Sequence, residues 1–179
     1  MLKFAALSAI ALAAGLATAA HADDETTGYY QVGYSHVDLS KSVKGFNAVN
    51  LGAAFQLWKF VSLEGSFETG FGDKVSGSGL NRTKYQLDHQ FAGTLVASHA
   101  MSDGLEIQGR LGFVQAKVGM TSPIGGRVTQ TASGPSLGVG LHYFPNNGKA
   151  GVALTFDHAD FGHNSGNDDI LRVAYVHKF

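Results

Sequence analysis

Residues 49–57, VNLGAAFQL, carry an apolar side chain at every second position, from Val49 through Leu51 and Phe55 to Leu57. The intervening positions are mostly small or polar, so the segment has one apolar row and one mixed row. A period of two is typical of a β-strand whose two faces meet different surroundings. A helix would instead repeat its apolar residues every three or four positions. The stretch therefore predicts a strand.

The same alternation recurs along most of the chain and predicts eight strands in total. The other seven apolar rows lie within residues 30–34, 61–71, 87–97, 105–113, 137–143, 152–156 and 171–179. Short turns are expected near residues 58–60, 98–104 and 145–148, and long polar links at 39–45, 72–82, 117–132 and 159–168. A meander with short turns at one end and long loops at the other is typical of outer-membrane barrels. Strands of about 9–11 residues would suit the tilted crossing of a bilayer.

The composition excludes several classes of protein. The chain has 179 residues with 24 Gly, no Cys and only 15% charged residues, whereas a soluble domain has about 25%. The lack of Cys excludes a disulfide scaffold and a thiolate zinc site. The balance of 13 Lys and Arg against 14 Asp and Glu gives no electrostatic reason to expect a nucleic-acid partner.

The first residues have the features of an export signal. Lys3 gives a positive start, residues 4–20 form a short apolar stretch, and Ala20-His21-Ala22 fits a small-x-small cleavage site. We expect a signal peptide at residues 1–22, cleaved after Ala22, and a barrel domain at residues 23–179. A membrane anchor is the alternative, but the apolar stretch is short for a spanning helix.

The alternation alone also fits a soluble barrel or a β-sandwich, in which the apolar row faces inward. Here the polar row is rich in Gly, Ala and Ser and lacks the crowded Lys and Glu of a soluble surface. Aromatic residues also concentrate near strand ends, where interfacial girdles occur in membrane barrels. We therefore predict an all-β, eight-stranded antiparallel up-and-down transmembrane β-barrel. The expected girdle residues are Tyr29, Tyr30, Tyr34, Phe46, Trp58, Phe60, Phe71, Tyr85, Tyr143, Phe144, Phe161, Tyr175 and Phe179.

Charged residues on the polar row would then lie inside the barrel. Unpaired charge at membrane depth is costly, so these groups should neutralise one another. We expect Glu64, Glu68 and Glu106 to neutralise Arg110 and either Arg172 or Lys178, and the network to plug the lumen.

The C-terminal stretch 171–179, LRVAYVHKF, ends in Phe179 with Tyr175 in the same alternate row. It resembles the signature that bacterial outer-membrane proteins present to the barrel assembly machinery. With residues 33–38, GYSHVD, the mature length resembles small eight-stranded barrels of the OmpA transmembrane-domain, OmpX/Ail and opacity-protein type. The resemblance implies the outer membrane of a Gram-negative bacterium, contact with lipid and lipopolysaccharide, and a host or surface ligand at the long loops. It also implies a non-enzymatic role in membrane integrity or adhesion.

Other functions stay open at this point. One is a small porin-like channel for solutes. Another is a lipid-A-modifying hydrolase, suggested by His163-Asn164-Ser165, although no Glu follows Glu106 to complete the catalytic group of that family. Residues 157–163 contain His and Asp that could bind a divalent metal, but a solvated loop explains them more simply. We predict no catalytic residue, no metal site and no cofactor.

Overall fold

The computed structural model describes residues 28–39, 45–79, 82–162 and 166–179. The expected signal peptide lies outside the described residues. The described chain forms nine strands and one turn of 3-10 helix at Pro145–Asn147. The strands are β1 Gly28–Leu39, β2 Phe46–Trp58, β3 Val61–Phe71, β4 Lys74–Ser76, β5 Thr83–Ser102, β6 Leu105–Ser122, β7 Gly126–Tyr143, β8 Ala150–Asp160 and β9 Asn167–Lys178.

Eight of the nine strands close into a ring, in the order β1, β2, β3, β5, β6, β7, β8 and β9. β1 and β9 close the ring. They pair antiparallel, and the paired residues run from Tyr29 opposite Lys178 to Leu39 opposite Asp168. All neighbouring pairs are antiparallel. This confirms the predicted eight-stranded antiparallel barrel. Within the described ranges, no helix combines the length and hydropathy of a membrane-spanning segment.

Side chains of opposite character line the two faces of the ring. On the outer face Leu111 and Leu137 are 60% and 67% exposed, whereas the neighbouring Arg110 is 3% exposed inside. Asn50, between exposed Val49 and Leu51, is also buried. The apolar row therefore faces lipid and the small or polar row fills the interior, as a membrane barrel requires and a soluble one does not.

Two expected loops are strands instead. The segment predicted as a polar loop at 117–132 is the top of a hairpin in which β6 reaches Ser122, β7 starts at Gly126, and three residues form the turn. The link at 72–82 contains β4, which pairs with β5 above the end of β3. β5, β6 and β7 are accordingly 20, 18 and 18 residues long, longer than predicted for a simple bilayer crossing.

One extra residue in β5 changes the face on which its first part lies. The pairing shifts between Leu87 and His89, which leaves Asp88 as a bulge opposite β6. A bulge moves every preceding side chain to the other face. Leu87 is therefore fully buried inside the barrel, so its place at the start of the predicted apolar row of residues 87–97, which was expected to face lipid, was wrong.

Several aromatic residues expected in the membrane girdle lie inside the barrel. The fully or nearly buried ones are Tyr29, Phe46, Phe144 and Phe161, whereas Trp58 and Phe60 are exposed. Tyr29 directly precedes outward-facing Tyr30, so the strand alternation turns it inward. The girdle prediction was wrong for these four residues.

Candidate functional site: the barrel interior and the outer sheet

The middle of the barrel interior contains a chain of buried ion pairs. Arg110 Nη2 lies 2.6 Å from Glu64 Oε1, and Arg110 Nε lies 3.0 Å from Asp157 Oδ1. Arg172 Nη2 lies 2.6 Å from Glu68 Oε1, and Arg172 Nη1 also pairs with Asp157. Asp157 thus links the two arginines, and all five side chains are almost fully buried. We call these five residues the central network.

Neutral donors from β1 complete the carboxylates of the central network. The Tyr29 hydroxyl donates to Glu64 Oε2 at 2.6 Å, and the Ser35 hydroxyl donates to Glu68 Oε2 at 2.8 Å. Both acceptors lie on β3, which is separated from β1 by β2, so these bonds connect the seam strand to β3 through the barrel interior. Hydrogen bonds to charged groups each contribute about 1.5–3 kcal/mol.

The central network includes four of the six charged residues expected to lie in the lumen. Glu106 and Lys178 form a separate ion pair near the short turns, and each is 22% exposed. The Lys178 ammonium also lies 3.8 Å from the centre of the Phe144 ring. The sequence prediction omitted Asp157, although it occupies the polar row of β8 as Thr155 does.

Apolar clusters lie beyond the central network at both ends of the interior. One contains Tyr29, Ala54, Phe144 and Val176, on the side of the short turns. The other includes Val37, Phe46, Leu87, Phe161 and Ile170, on the side of the long connections. The interior of the described barrel is therefore lined by buried side chains, with a polar centre between two apolar ends.

The upper parts of β5, β6 and β7 rise beyond the ring as a small sheet, which we call the outer sheet and which includes β4. β7 pairs with β6 along its whole length, but with β8 only from Ser136 onward. Surface ion pairs hold the outer sheet together, with Arg127 2.6 Å from Asp88 and Lys84 3.4 Å from Asp73. Residues 127–131 are exposed on both faces.

The C-terminal residues expected to form the assembly signal lie at the short-turn end. Tyr175 is 45% exposed on the outer face, and the Phe179 N–H donates to the Gly28 carbonyl at 3.0 Å. The Phe179 ring lies 5.9 Å from that of Phe55. His177 interrupts the apolar row, and its ring lies 5.3 Å from that of Tyr30, so an interfacial aromatic cluster explains this departure.

The His and Asp residues considered as metal ligands are not brought together in the described part of the chain. His158 Nδ1 lies 2.6 Å from Asp169 Oδ1 on the exposed outer face. Within the described residues, no group of three or more His, Asp or Glu side chains is arranged to hold a metal ion. His163-Asn164-Ser165, the basis of the hydrolase alternative, lies outside the described residues.

The sequence model of the outer membrane protein β-barrel domain matches residues 7–179 of the chain. The chain belongs to this family. As an outer-membrane β-barrel, it is a membrane or cell-surface protein. No curated protein matches it in sequence.

Solved outer-membrane barrels share this fold at low sequence identity. Neisserial surface protein A is 12% identical, with a TM-score of 0.64 over 86% of this chain and 98% of that one. Ail of Yersinia pestis, solved with the heparin analogue sucrose octasulfate, is 15% identical, with a TM-score of 0.59 over 85% and 99%. OprG of Pseudomonas aeruginosa is 13% identical, with a TM-score of 0.58 over 87% and 97%. At these identities the comparison shows the fold alone.

Proposed function

We propose that this outer-membrane barrel acts without catalysis, as a structural element of the membrane that makes surface contacts through its outer sheet. The observation that carries the proposal is the outer sheet itself, which extends three strands beyond the ring with residues 127–131 exposed on both faces. The barrel needs no such extension to cross the bilayer, since about 9–11 residues per strand suffice.

The closed interior favours this role over that of a small porin. Wide aqueous channels occur in barrels of about 16–18 strands, whereas eight strands enclose only enough space for side chains. In this barrel the central network and the two apolar clusters occupy that space at three levels. The hydrolase alternative has no such structural support, because its residues are outside the described part.

Expected partners follow from the surfaces of the barrel. The apolar outer face fits lipid and lipopolysaccharide acyl chains, and the outer sheet fits a surface ligand. The structures of Ail with a heparin analogue and in a phospholipid nanodisc show that a barrel of this fold can engage both kinds of molecule. We further propose that the signal peptide is cleaved after Ala22 and that the barrel assembly machinery recognises Tyr175 and Phe179.

Shortening the outer sheet tests the proposed function. Met120–Val128 would be replaced by Asn-Gly, which joins the register partners Gly119 and Thr129 by a two-residue hairpin turn. Adhesion of intact cells to surfaces and to one another would be measured beside detergent sensitivity, with Lys149→Ala at a short turn as the control. We expect adhesion to fall while heat-modifiable gel mobility, which reports a folded barrel, is kept. Unchanged adhesion at equal surface abundance would contradict the proposal.

A further inference from the structure

One side of the upper part of β7 is an open β-edge. Since β8 pairs with β7 only from Ser136, no strand of the described chain pairs with this side of residues 127–133. The end of β8 still lies against β7 at Gly134, where the backbone of Asp160 is so close that a Cβ atom could not fit, and the open edge is the part of β7 that precedes Gly134. An open edge offers backbone N–H and C=O groups that can pair with another extended chain.

The open edge lacks most of the features by which proteins protect such edges. Charged side chains, proline and bulges usually block edge-to-edge pairing. Between Arg127 and Ser136 the sequence is VTQTASGP, with no charge and its single proline, Pro135, at the base. Arg127 itself is held 2.6 Å from Asp88. The free stretch is therefore open to pairing over residues 128–133.

The sequence of this edge is compatible with antiparallel pairing to itself. With the twofold axis at Gln130, the opposing residues would be Gln130 with Gln130, Thr129 with Thr131, Val128 with Ala132, and Arg127 with Ser133. Thr–Thr pairs and small apolar pairs are favourable across antiparallel strands, and like charges directly opposite are not. This register creates no charge clash.

The orientation of each barrel in its membrane determines which two copies can pair antiparallel through this edge. Two barrels in one membrane point in the same direction, so a twofold axis along the membrane normal would bring their edges together parallel. Barrels in two facing membranes are related by a twofold axis in the membrane plane, which makes the edges antiparallel. The eleven residues from Gly126 to Ser136 extend about 34 Å along the strand at ~3.4 Å per step, so the edge projects beyond the ring.

We propose that the open edge of β7 pairs antiparallel with the β7 edge of a second copy on a facing membrane, and so joins two cells. This inference rests on the proposed role of the outer sheet in surface contact and names its partner as another copy of the chain. The symmetric pairing centres on Gln130.

The test uses two sets of phosphatidylcholine vesicles that contain the purified, folded barrel and carry a donor or an acceptor dye. Energy transfer on mixing reports clustering. We expect the unaltered protein to cluster its own vesicles and not protein-free ones. Gln130→Lys and Gln130→Glu should each reduce self-clustering roughly tenfold, because like charges then meet at the axis. A mixture of Lys-bearing and Glu-bearing vesicles should cluster again.

The control is Ser76→Lys on β4, an exposed position at the opposite side of the outer sheet, which should leave clustering unchanged. Equal clustering by Gln130→Lys and the unaltered protein would overturn the proposal, as would failure of the charge-swapped mixture to recover. If unaltered vesicles do not cluster while cells still adhere through the outer sheet to other surfaces, the pairing of copies is wrong and the proposed function stands. Clustering with protein-free vesicles would indicate lipid binding and would also overturn the pairing.

Discussion

Replacing Arg110 by Met should destabilise the barrel strongly, because Arg110 neutralises two carboxylates at once. Its guanidinium contacts Glu64 at 2.6 Å and Asp157 at 3.0 Å. The central network has three carboxylates and two guanidiniums, so the substitution leaves three carboxylates facing Arg172 alone. Breaking a buried pair costs about 3–5 kcal/mol, since the remaining charge stays buried. We expect a loss of that size in the free energy of unfolding.

A second substitution distinguishes this reason from a simple packing defect. Glu64→Gln in the Arg110→Met background removes one of the carboxylates that has lost its guanidinium partner, and it keeps the volume of the side chain. The double variant should therefore lose about 2 kcal/mol less than the sum of the two single losses, a coupling within the usual range for groups in contact.

Urea titration of the refolded barrel in detergent micelles, followed by heat-modifiable gel mobility, measures these free energies through their linear dependence on urea. A loss below about 1 kcal/mol for Arg110→Met would mean that water solvates the network. Strictly additive losses would mean that charge balance does not matter. Either result would show that the buried ion pairs do not stabilise the barrel through their charge.

Three further predictions concern packing, lipid contact and assembly. Gly138→Ala should lower the free energy of unfolding by about 1–3 kcal/mol, because its Cβ would collide with Asp157 Oδ1 and the Phe156 carbonyl oxygen. Gly109→Ala, whose Cβ would meet nothing within 4 Å, should change it little, and equal effects of the two substitutions would contradict this. Leu111→Arg on the lipid face should cost about 2–4 kcal/mol, and Thr131→Arg on the outer sheet under about 0.5 kcal/mol, both by the same urea titration. Phe179→Ala should reduce the folded fraction in cells while the purified chain still refolds; an equal loss in both would show a stability defect and not a missing assembly signal.

The period-two alternation predicted the fold because the bilayer and the narrow interior impose opposite demands on successive residues. That signal fails where both faces meet water. This explains the β7 part of the loop wrongly predicted at 117–132, since residues 127–131 are exposed on both faces and include Val128 as their single apolar residue.

Local irregularities also limited the prediction. The bulge at Asp88 adds one residue that no composition pattern marks, and it turns Leu87 inward. Tyr29 and Phe46, in contrast, could have been assigned correctly. Each lies an odd number of positions from an outward-facing residue, Tyr30 or Val49, so the alternation already places both side chains on the inner row.

The interior was harder to predict than the faces. Alternation identifies Glu64, Glu68 and Arg110 as inward-facing, and it applies equally to Asp157, which the prediction left out. It does not say which strands across the barrel face one another at a given height. The pairing of Arg172 on β9 with Glu68 on β3 depends on strand tilt and closure, which the sequence pattern does not reveal.

Whether the interior conducts ions distinguishes a barrel that acts through its outer sheet from a porin. The measurement is single-channel current across a planar lipid bilayer into which the purified, folded barrel has been inserted. We expect no stepwise openings, since the central network and both apolar clusters occupy the interior. Reproducible current steps from the folded barrel would contradict this expectation and would restore the porin interpretation.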